Sequence, residues 1–261
     1  MKTYLLLAVL TMVQLFSVFA EAYILPLETI LKKSTALTGT SIVAIEQNVI
    51  FREGNVDYVI KEEWLIEGDK NLKLTATGVG ELKDVFKLNY LYNNKKRTQI
   101  VGKNRVITEA SRELIEKFLA VKSVESYQNY FKDLGITNRV RLSRASGTIS
   151  FAIGEPSTER GLSPQFWIDQ DYFHLNKIRF PTEAEVEFSD YKTYGPLQYP
   201  DLKFVAWADK GAIIKVTKVS TKTGATIKNF YPQTLDQPSE INLAGKGALG
   251  QKIEEFYKRF R

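Results

Sequence analysis

The residue types that carry most enzyme chemistry are scarce in this sequence. It has one histidine, His174, and no cysteine among its 261 residues. A Ser-His-Asp or Cys-His arrangement would have to use His174, and no Gly-x-Ser-x-Gly turn is present to expose a nucleophile. Structural zinc sites rely on cysteine and histidine, so none is expected. We interpret His174 as a structural strand residue and predict no metal and no cofactor.

Carboxylates are the remaining candidates for catalysis. Any two of the 30 acidic residues could face each other in a cleft and act as a glycosidase pair, which keeps a carboxylate hydrolase open as the least favoured alternative. Glu62 stands out because it shares a predicted strand face with Tyr58 and Trp64. A single carboxylate on an apolar face more often lies at a sheet edge, or is paired with Lys or Arg, than it is catalytic. The sequence therefore predicts a protein that is not an enzyme and has no catalytic residues.

The sequence also does not indicate a glycine-rich loop that binds phosphate. Gly78-Val79-Gly80 is followed by neither a helix signature nor a Lys-Ser/Thr pair, so it is not a phosphate-binding loop. The formal net charge of +6 comes from basic and acidic residues that are interleaved along the chain. Such a pattern indicates a solvated surface, and no nucleic-acid partner is predicted.

Residues 1–22 have the pattern of a secretory signal peptide. Lys2 gives a basic start, an apolar run extends to Ala20, and Ala20-Glu21-Ala22 fits a small-x-small cleavage site. An uncleaved membrane anchor is the alternative. Because the chain has no cysteine, its first residues cannot carry a lipid and its core cannot rely on disulfides. We therefore predict a protein of the bacterial periplasm.

Most of the remaining chain alternates apolar and polar residues in the way of antiparallel strands. The predicted strands include one led by Phe166, one with Val186 and Phe188, and one in which Leu202, Phe204 and Ala206 share a face. Residues 41–107 predict about six further strands, two more fall near 139–153, and a last one covers 225–230. We predict a mainly β (α+β) fold with a curved antiparallel sheet.

Helical spacing appears in three places. A short helix is predicted from Leu27 to Leu37, with Pro26 in its first turn. The stretch from Glu109 to Leu134 predicts one helix, or two that are split near Lys122-Ser123, with a stop at Gly135. Residues 233–261 predict a linker followed by a basic amphipathic helix, which either packs on the domain or binds a membrane surface or a partner.

Several of these segments together resemble a known family. Trp167-Ile168-Asp169, Phe188-x-Asp190-Tyr191, Pro200 and the closing Phe230-Tyr231-Pro232 are similar to the strand and turn motifs of the LolA/LolB-like outer-membrane lipoprotein-sorting superfamily. In the last half of the folded region the resemblance rests on these motifs. In the first half it rests only on the spacing of the predicted strands. It implies an unclosed half-barrel covered by a helical lid, with the half-barrel domain spanning residues 23–232. Since these are turn and core residues, they indicate the fold more than the function.

In that family, the apolar space between sheet and lid receives lipoprotein acyl chains. The resemblance therefore implies a ligand-binding hydrophobic cavity and a lid. The expected cavity residues are Tyr58, Ile60, Trp64, Phe86, Leu88, Tyr90, Ile149, Phe151, Phe166, Phe204 and Phe230, and the expected lid residues are Leu27, Ile30, Leu31, Phe118, Leu119 and Tyr127. A basic residue in an early strand of the family's carriers helps to hold the lid closed. No residue of this chain aligns clearly with that basic residue. Arg52 and Lys61 lie at comparable positions in the early strands.

The function that this resemblance implies is that of a periplasmic carrier. It would bind lipid or lipoprotein acyl chains and pass them towards the outer membrane, with inner- and outer-membrane transport components as partners and transient membrane contact. Burial of each methylene contributes about 0.8 kcal/mol, so two long chains could be held without polar groups. The alternative from another class is an envelope interaction or sensor protein that has the same fold, a filled core and a protein partner.

Overall fold

The computed structural model describes residues 24–39, 41–159, 161–222 and 224–261. The predicted signal peptide lies outside the described residues, so that prediction stays open. Within the described residues the chain forms fourteen strands and four α-helices. The strands are β1 Val43–Glu53, β2 Val56–Glu67, β3 Asn71–Gly78, β4 Phe86–Asn93, β5 Lys96–Val101, β6 Asn104–Glu109, β7 Val140–Ala145, β8 Thr148–Ile153, β9 Gln165–Asp169, β10 Leu175–Arg179, β11 Glu185–Tyr194, β12 Leu197–Trp207, β13 Lys210–Thr221 and β14 Glu240–Ile241. The helices are α1 Leu27–Thr35, α2 Ile115–Phe118, α3 Val124–Leu134 and α4 Gly247–Arg259.

The strands form one antiparallel sheet that does not close on itself. Its order is β6-β5-β4-β3-β2-β1-β13-β12-β11-β10-β9-β8-β7, and β14 pairs with β4 beside this path. Two consecutive meanders are thus joined where β1 pairs with β13. Sequence neighbours pair because tight turns connect them, as the alternating pattern predicts. The prediction of a mainly β, unclosed antiparallel sheet with helices is confirmed.

Helix boundaries follow the local signals in the sequence. The Glu109–Leu134 stretch contains two helices, and the connection between them reaches Ser123, whose side chain accepts a hydrogen bond from the Ser126 backbone amide. Gly135 ends α3 in the left-handed conformation at φ 69°.

One face of the sheet, here called the inner face, is covered by all four helices. Strand burial alternates as the period of two requires, with inner residues buried and outer residues more exposed. Apolar residues of α1, α2, α3 and α4 belong to the same buried cluster as the inner-face residues of the strands. The core of the protein therefore lies between the sheet and the helices.

Residues 226–243, here called the strap, connect β13 to α4 around the sheet. Phe230 and Leu235 pack on Leu91 on the outer face. The strap then pairs with β4 through Glu240 and Ile241, and Leu243 already belongs to the inner core. Two sequence predictions are wrong here. Residues 227–230 form a 3-10 turn rather than a strand, and residues 233–246 are held by the sheet rather than forming a loose linker.

A close approach between the strap and α4 occurs at Gly250. An added Cβ there would lie 2.5 Å from the backbone oxygen of Leu243. Alanine is normally favoured over glycine in a helix by about 1 kcal/mol, but this contact cannot be relieved by a side-chain rotation. We expect Gly250→Ala to lower the free energy of unfolding by about 1–3 kcal/mol, measured by urea denaturation.

The matched control for this prediction is Gly245→Ala. An added Cβ at Gly245 would meet no atom within 4 Å. We expect this variant to change stability by less than about 0.5 kcal/mol. An increase in stability for Gly250→Ala would show that helix propensity outweighs the contact with the strap.

Candidate functional site

The inner face of the sheet presents a continuous apolar and aromatic surface. Ile60 and Trp64 of β2 are buried there, beside Phe86, Leu88 and Tyr90 of β4. Further along the sheet, the same surface is continued by Phe151 of β8, Phe166 of β9 and Trp207 of β12. An apolar ligand could be held on such a surface without polar groups.

The helices α2 and α3 cover the part of this face that surrounds β9. The Phe166 ring lies 5.4 Å from that of Phe118 and 5.2 Å from that of Phe131, with edge-to-face geometry in both pairs. Helix α1 packs on α3, where the hydroxyl groups of Ser34 and Tyr127 are 3.3 Å apart. Aromatic pairs of this kind contribute beyond simple area burial, so this part of the cover is closely fitted.

Helix α4 covers the opposite part of the inner face. Phe256 lies at its centre, with its ring 5.3 Å from that of Phe51 and 5.9 Å from that of Trp207. Tyr257 packs against Phe86 at 4.7 Å, and Phe260 lies 5.4 Å from Trp207. The side chains of α4 thus occupy the space that faces β1, β4 and β12.

Two small cavities border the inner face beneath Leu119, with volumes of about 10 and 20 Å³. Each has room for about one water molecule. An acyl chain therefore requires the helices to move away from the sheet before it can enter at these places.

A buried charge cluster, formed by Gln47, Glu62, Glu116, Lys203 and Arg261, joins the helices to the sheet. Gln47, Glu62 and Lys203 lie on the inner faces of β1, β2 and β12, whereas Glu116 belongs to α2 and Arg261 follows α4. The Arg261 guanidinium donates to both oxygens of Glu62, at 2.8 and 3.1 Å, and to Glu116 at 2.9 Å. All four charged side chains are fully buried.

Every polar group at the centre of this cluster has a partner. Lys203 donates to the side-chain oxygens of Gln47, Glu116 and Tyr199 at 2.8, 3.2 and 2.9 Å, which uses all three of its protons. Gln47 donates to Glu62 at 2.7 Å and to Glu116 at 3.0 Å. The two positive and two negative charges balance, so the cluster is electrically neutral while it remains closed.

Burial and charge pairing act in opposite directions on these groups. Burial lowers the pKa of Lys203, and the attraction of Glu116 opposes that change. Burial would raise the pKa of Glu116, but the charges of Arg261 and Lys203, with hydrogen bonds from Gln47 and Lys203, hold it below the ordinary value of 4.5. The pairing therefore keeps Glu116 ionised in the folded protein.

This lowered pKa gives an expected acid dependence of stability. A carboxylate with a lower pKa in the folded state stabilises the fold above its unfolded pKa, and that contribution is lost as the pH falls through the folded pKa. We expect the free energy of unfolding to fall below pH 4.5, and to fall less steeply in Glu116→Gln than in the unmodified protein. Urea denaturation between pH 7 and 3 measures both slopes, and equal slopes would contradict the assignment.

The structure places eight of the eleven expected cavity residues on or beside the covered inner surface. Ile60, Trp64, Phe86, Leu88, Tyr90, Phe151 and Phe166 are buried there, and Tyr58 is partly buried against them. Three residues differ. Phe204 points to the outer face and is 43% exposed, Ile149 is 50% exposed at the uncovered start of β8, and Phe230 packs on the outer face as part of the strap. None of these three residues lies on the buried part of the inner face, and their role as ligand contacts stays a prediction.

The expected lid residues all lie in the helical cover. Ile30, Leu31, Phe118, Leu119 and Tyr127 are buried against the inner face, and Leu27 is partly buried. Arg52 and Lys61 do not hold the lid, because Lys61 is exposed and Arg52 pairs with Asp57 beside the β1–β2 turn. The ion pairs that join the helices to the sheet are made by Lys203, Arg261 and Glu116.

His174 precedes β10 and does not face the buried charge cluster. Its ring stacks on Tyr191 at a centroid distance of 4.1 Å and forms a hydrogen bond with Gln198. These contacts fit the structural role that the sequence predicts.

Sequence reasoning missed several residues of this site. The alternation of Leu202, Phe204 and Ala206 leaves Lys203 on the opposite face, whereas Lys203 is an inner-face residue between Tyr199 and Val205. Gln47 has the same parity as its buried neighbours Ile45 and Val49 in β1, and this could have indicated an inner polar position. Arg261 gave no local signal, because its partners are far away in sequence.

The fold is similar to those of several solved structures. A LolA superfamily protein from Nitrosomonas europaea matches with a TM-score of 0.59 and 9% identity, over 81% of this chain and 100% of that one. A putative outer membrane lipoprotein-sorting protein domain from Vibrio parahaemolyticus matches with a TM-score of 0.57 and 11% identity, over 81% and 98%. A DUF1329 family protein from Desulfovibrio piger matches with a TM-score of 0.52 and 11% identity, over 81% and 99%.

Comparisons at the level of sequence give a different result. No family model matches the chain, and no curated protein sequence matches it. At identities of 9 to 11%, the structural likeness concerns the arrangement of strands and helices rather than particular side chains. In the part of the chain that the structure describes, no helix has both the length and the apolar character needed to cross a membrane.

Proposed function

We propose that this chain, which has a LolA-like fold, is a periplasmic carrier that binds lipid or lipoprotein acyl chains between its sheet and its helices. The observation that carries the proposal is the continuous aromatic inner face beneath a cover of helices. Acyl chains would replace the side chains of the helices on that face. The chains would be delivered towards the outer membrane, and the carrier would contact membrane components only transiently.

The buried charge cluster supports a cover that can open. Buried ion pairs lose much of their Coulombic gain to desolvation, and a well-packed apolar replacement is often equally or more stable. The helices are therefore held on the sheet less firmly than the same number of apolar contacts would hold them. Opening exposes Glu62, Glu116, Lys203 and Arg261 to water, which recovers their hydration and offsets part of the lost packing.

A non-enzymatic role agrees with the state of the carboxylates in the interior. Glu62 and Glu116 are fully buried and paired with Arg261, so they do not face a substrate cleft. A glycosidase needs its two carboxyl groups on either side of an accessible bond. The hydrolase alternative therefore has no support from this cluster.

The second candidate function is that of an envelope protein that binds a protein partner. The specific observation in its favour is the filled interior, because the cavities of about 10 and 20 Å³ near Leu119 hold no chain. A carrier and an interaction protein differ in one measurable property, which is the uptake of acyl chains by the interior.

The three tryptophans of the chain provide the test. Trp64 and Trp207 belong to the inner core, whereas Trp167 packs with Ala145 and Ala152 on the outer face. We expect a brominated fatty acid to quench the fluorescence of Trp64 and Trp207 and to leave Trp167 unaffected. Variants that retain one tryptophan each, with phenylalanine at the other two positions, separate the three signals.

Native mass spectrometry of protein purified from a bacterial periplasm provides the complementary measurement. Near-stoichiometric bound acyl species would support the carrier and identify the class of its cargo. A mass without ligand, together with no quenching of Trp64 or Trp207 by added fatty acid, would reject the carrier and favour the protein-binding candidate.

A further inference from the structure

A second, larger cavity lies at the rim of the helical cover. This rim cleft has a volume of about 650 Å³. One wall is formed by the β2–β3 and β4–β5 turns of the sheet, and the other by the connection from β6 to α2 and by α3. A ligand in the rim cleft would therefore touch both the sheet and the cover.

Basic side chains outnumber acidic ones in the rim cleft. Its acidic residues are Asp69, Glu109 and Asp133, and its basic residues are Lys70, Lys95, Arg112, Lys117 and Lys132. Two of the acids already have partners, because Asp133 pairs with Lys95 at 2.7 Å and Asp69 accepts a hydrogen bond from Tyr130 at 2.7 Å. With five basic and three acidic residues, the lining of the rim cleft carries a formal net charge of +2.

Three of the five cations are available to a ligand. The side chains of Lys70, Arg112 and Lys132 have no hydrogen-bond or ion-pair partner among the described residues. By contrast, Lys177 and Arg179 of β10 pair with carboxylates. The unpaired side chains of the rim cleft can converge on a single anion, because lysine and arginine side chains reorient at little cost.

Lys117 lies where the rim cleft meets the apolar interior. Its ammonium group donates to the backbone oxygen of Arg112 at 2.7 Å and lies 4.7 and 4.9 Å from the ring centres of Phe118 and Tyr130. Its hydrogen bonds go to the backbone oxygens of Ser111 and Arg112, and none goes to a carboxylate among the described residues. Burial lowers the pKa of Lys117 to about 7, and the charge of Asp133 opposes that change. A bound anion would supply the charge partner that Lys117 lacks.

The Phe118 side chain extends from this boundary into the inner core, where it packs on Phe166. The adjacent residues Lys117 and Phe118 of α2 thus border the polar cleft and the apolar interior, respectively. A molecule with an anionic group and a hydrocarbon part could place the first beside Lys117 and the second on the inner face. This arrangement matches the two parts of a membrane lipid.

We propose that the rim cleft binds the phosphate group of an anionic lipid whose acyl chains enter the interior. The proposal rests on the carrier function above and narrows its cargo to lipids that bear phosphate. Phosphate oxygens would accept charge-assisted hydrogen bonds from Lys117, Arg112 and the neighbouring lysines. A phosphate-free lipid with the same chains would leave the positive charge of the rim cleft unpaired and would bind more weakly.

The test compares three soluble probes by calorimetric titration. Short-chain phosphatidylglycerol carries chains and phosphate, the matching diacylglycerol carries the chains alone, and glycerol 3-phosphate carries the phosphate alone. We expect phosphatidylglycerol to bind at least about tenfold more tightly than diacylglycerol. We expect Arg112→Gln with Lys117→Met to remove this preference while diacylglycerol affinity stays within about twofold.

Two further variants keep the result interpretable. Arg112→Gln alone changes an exposed side chain without a partner, so it tests the rim cleft without affecting the core. Lys103→Gln removes an exposed lysine that does not line the rim cleft, and we expect it to leave all three affinities unchanged. A change in Lys103→Gln equal to that in Arg112→Gln would show a general effect of net charge and would overturn the proposal.

The remaining outcomes separate this inference from the carrier function. Equal binding of phosphatidylglycerol and diacylglycerol would overturn the phosphate site and leave the carrier in place. Binding of neither lipid would reject the carrier itself. Binding of glycerol 3-phosphate alone, with loss in Arg112→Gln, would overturn the lipid assignment and identify a soluble phosphate ester as the source of the anion.

Discussion

Replacing Arg261 with methionine is expected to lower the free energy of unfolding by about 3–5 kcal/mol. Arg261 forms a two-point ion pair with Glu62 and a third charged hydrogen bond with Glu116, all without exposure to solvent. Methionine fills similar space but leaves both carboxylates buried beside Lys203 as their only cation. Urea denaturation at neutral pH measures the loss.

The control for Arg261→Met is Arg105→Met. Arg105 lies exposed on β6 and has no side-chain partner among the described residues. Its replacement is expected to change stability by less than about 0.5 kcal/mol. Equal effects of the two substitutions would show that the buried charge cluster makes no special contribution.

A double-mutant cycle tests whether the cluster acts as a unit. Lys203→Met removes one positive charge, and Glu116→Leu removes one negative charge from the same ion pair. Each single variant leaves an uncompensated buried charge, whereas the double variant retains the neutral pair of Glu62 and Arg261. We expect the double variant to be more stable than the sum of the single effects predicts.

Phe256→Ala is expected to lower the free energy of unfolding by about 3–5 kcal/mol. The ring of Phe256 is fully buried and contacts Phe51 and Trp207, and the Arg261 guanidinium lies 4.8 Å from its centre. Its removal leaves a cavity at the centre of the contact between α4 and the sheet. Thermal and urea denaturation measure the loss of stability.

The same variant also bears on ligand binding. If α4 occupies the place of the acyl chains, the space freed in Phe256→Ala should accept a fatty acid more readily. Ligand that binds only the folded state raises stability by mass action, so added fatty acid should stabilise Phe256→Ala more than the unmodified protein. No difference between the two would show that acyl chains do not use the space beneath α4.

Glu254→Ala is the matched control on α4. Glu254 is exposed on the other side of the helix and has no side-chain partner among the described residues. We expect its replacement to alter neither stability nor the response to fatty acid by a measurable amount. A loss of stability as large as that expected for Phe256→Ala would mean that any substitution in α4, and not only one on its buried face, destabilises the protein.

The inner face of β12 shows where sequence patterns fail. Its residues from Leu202 to Trp207 are apolar at most positions, so the alternation does not define one face clearly. Assigning Leu202, Phe204 and Ala206 to the inner face turns Lys203 outwards, which agrees with the rarity of buried lysines. Its partners Gln47 and Glu116 lie 156 and 87 residues away, and they are what allow it to point inwards. That single misassignment placed Phe204 on the wrong face.

The strap and α4 also show that local sequence patterns do not reveal contacts between distant segments of the chain. Residues 233–246 are polar and rich in turn formers, which locally resemble a linker. Their hydrogen bonds are made with Lys73, Asn89 and Ile100 of distant strands. No local pattern can reveal such partners, although the amphipathic spacing from Leu249 to Phe260 did predict the helix that follows.

By itself, the sequence determined the class of fold, the meander of antiparallel strands, the helices of the cover and most of the apolar inner face. These features follow from the spacing of apolar residues, from turn residues and from helix caps, all of which act over a few residues. Only the tertiary structure decided that α4 fills the interior, that Glu62 meets Arg261, and that five basic residues line the rim cleft. Those arrangements depend on side chains that are distant in sequence and adjacent in space, because the energy of a charge depends on which partner shares its burial.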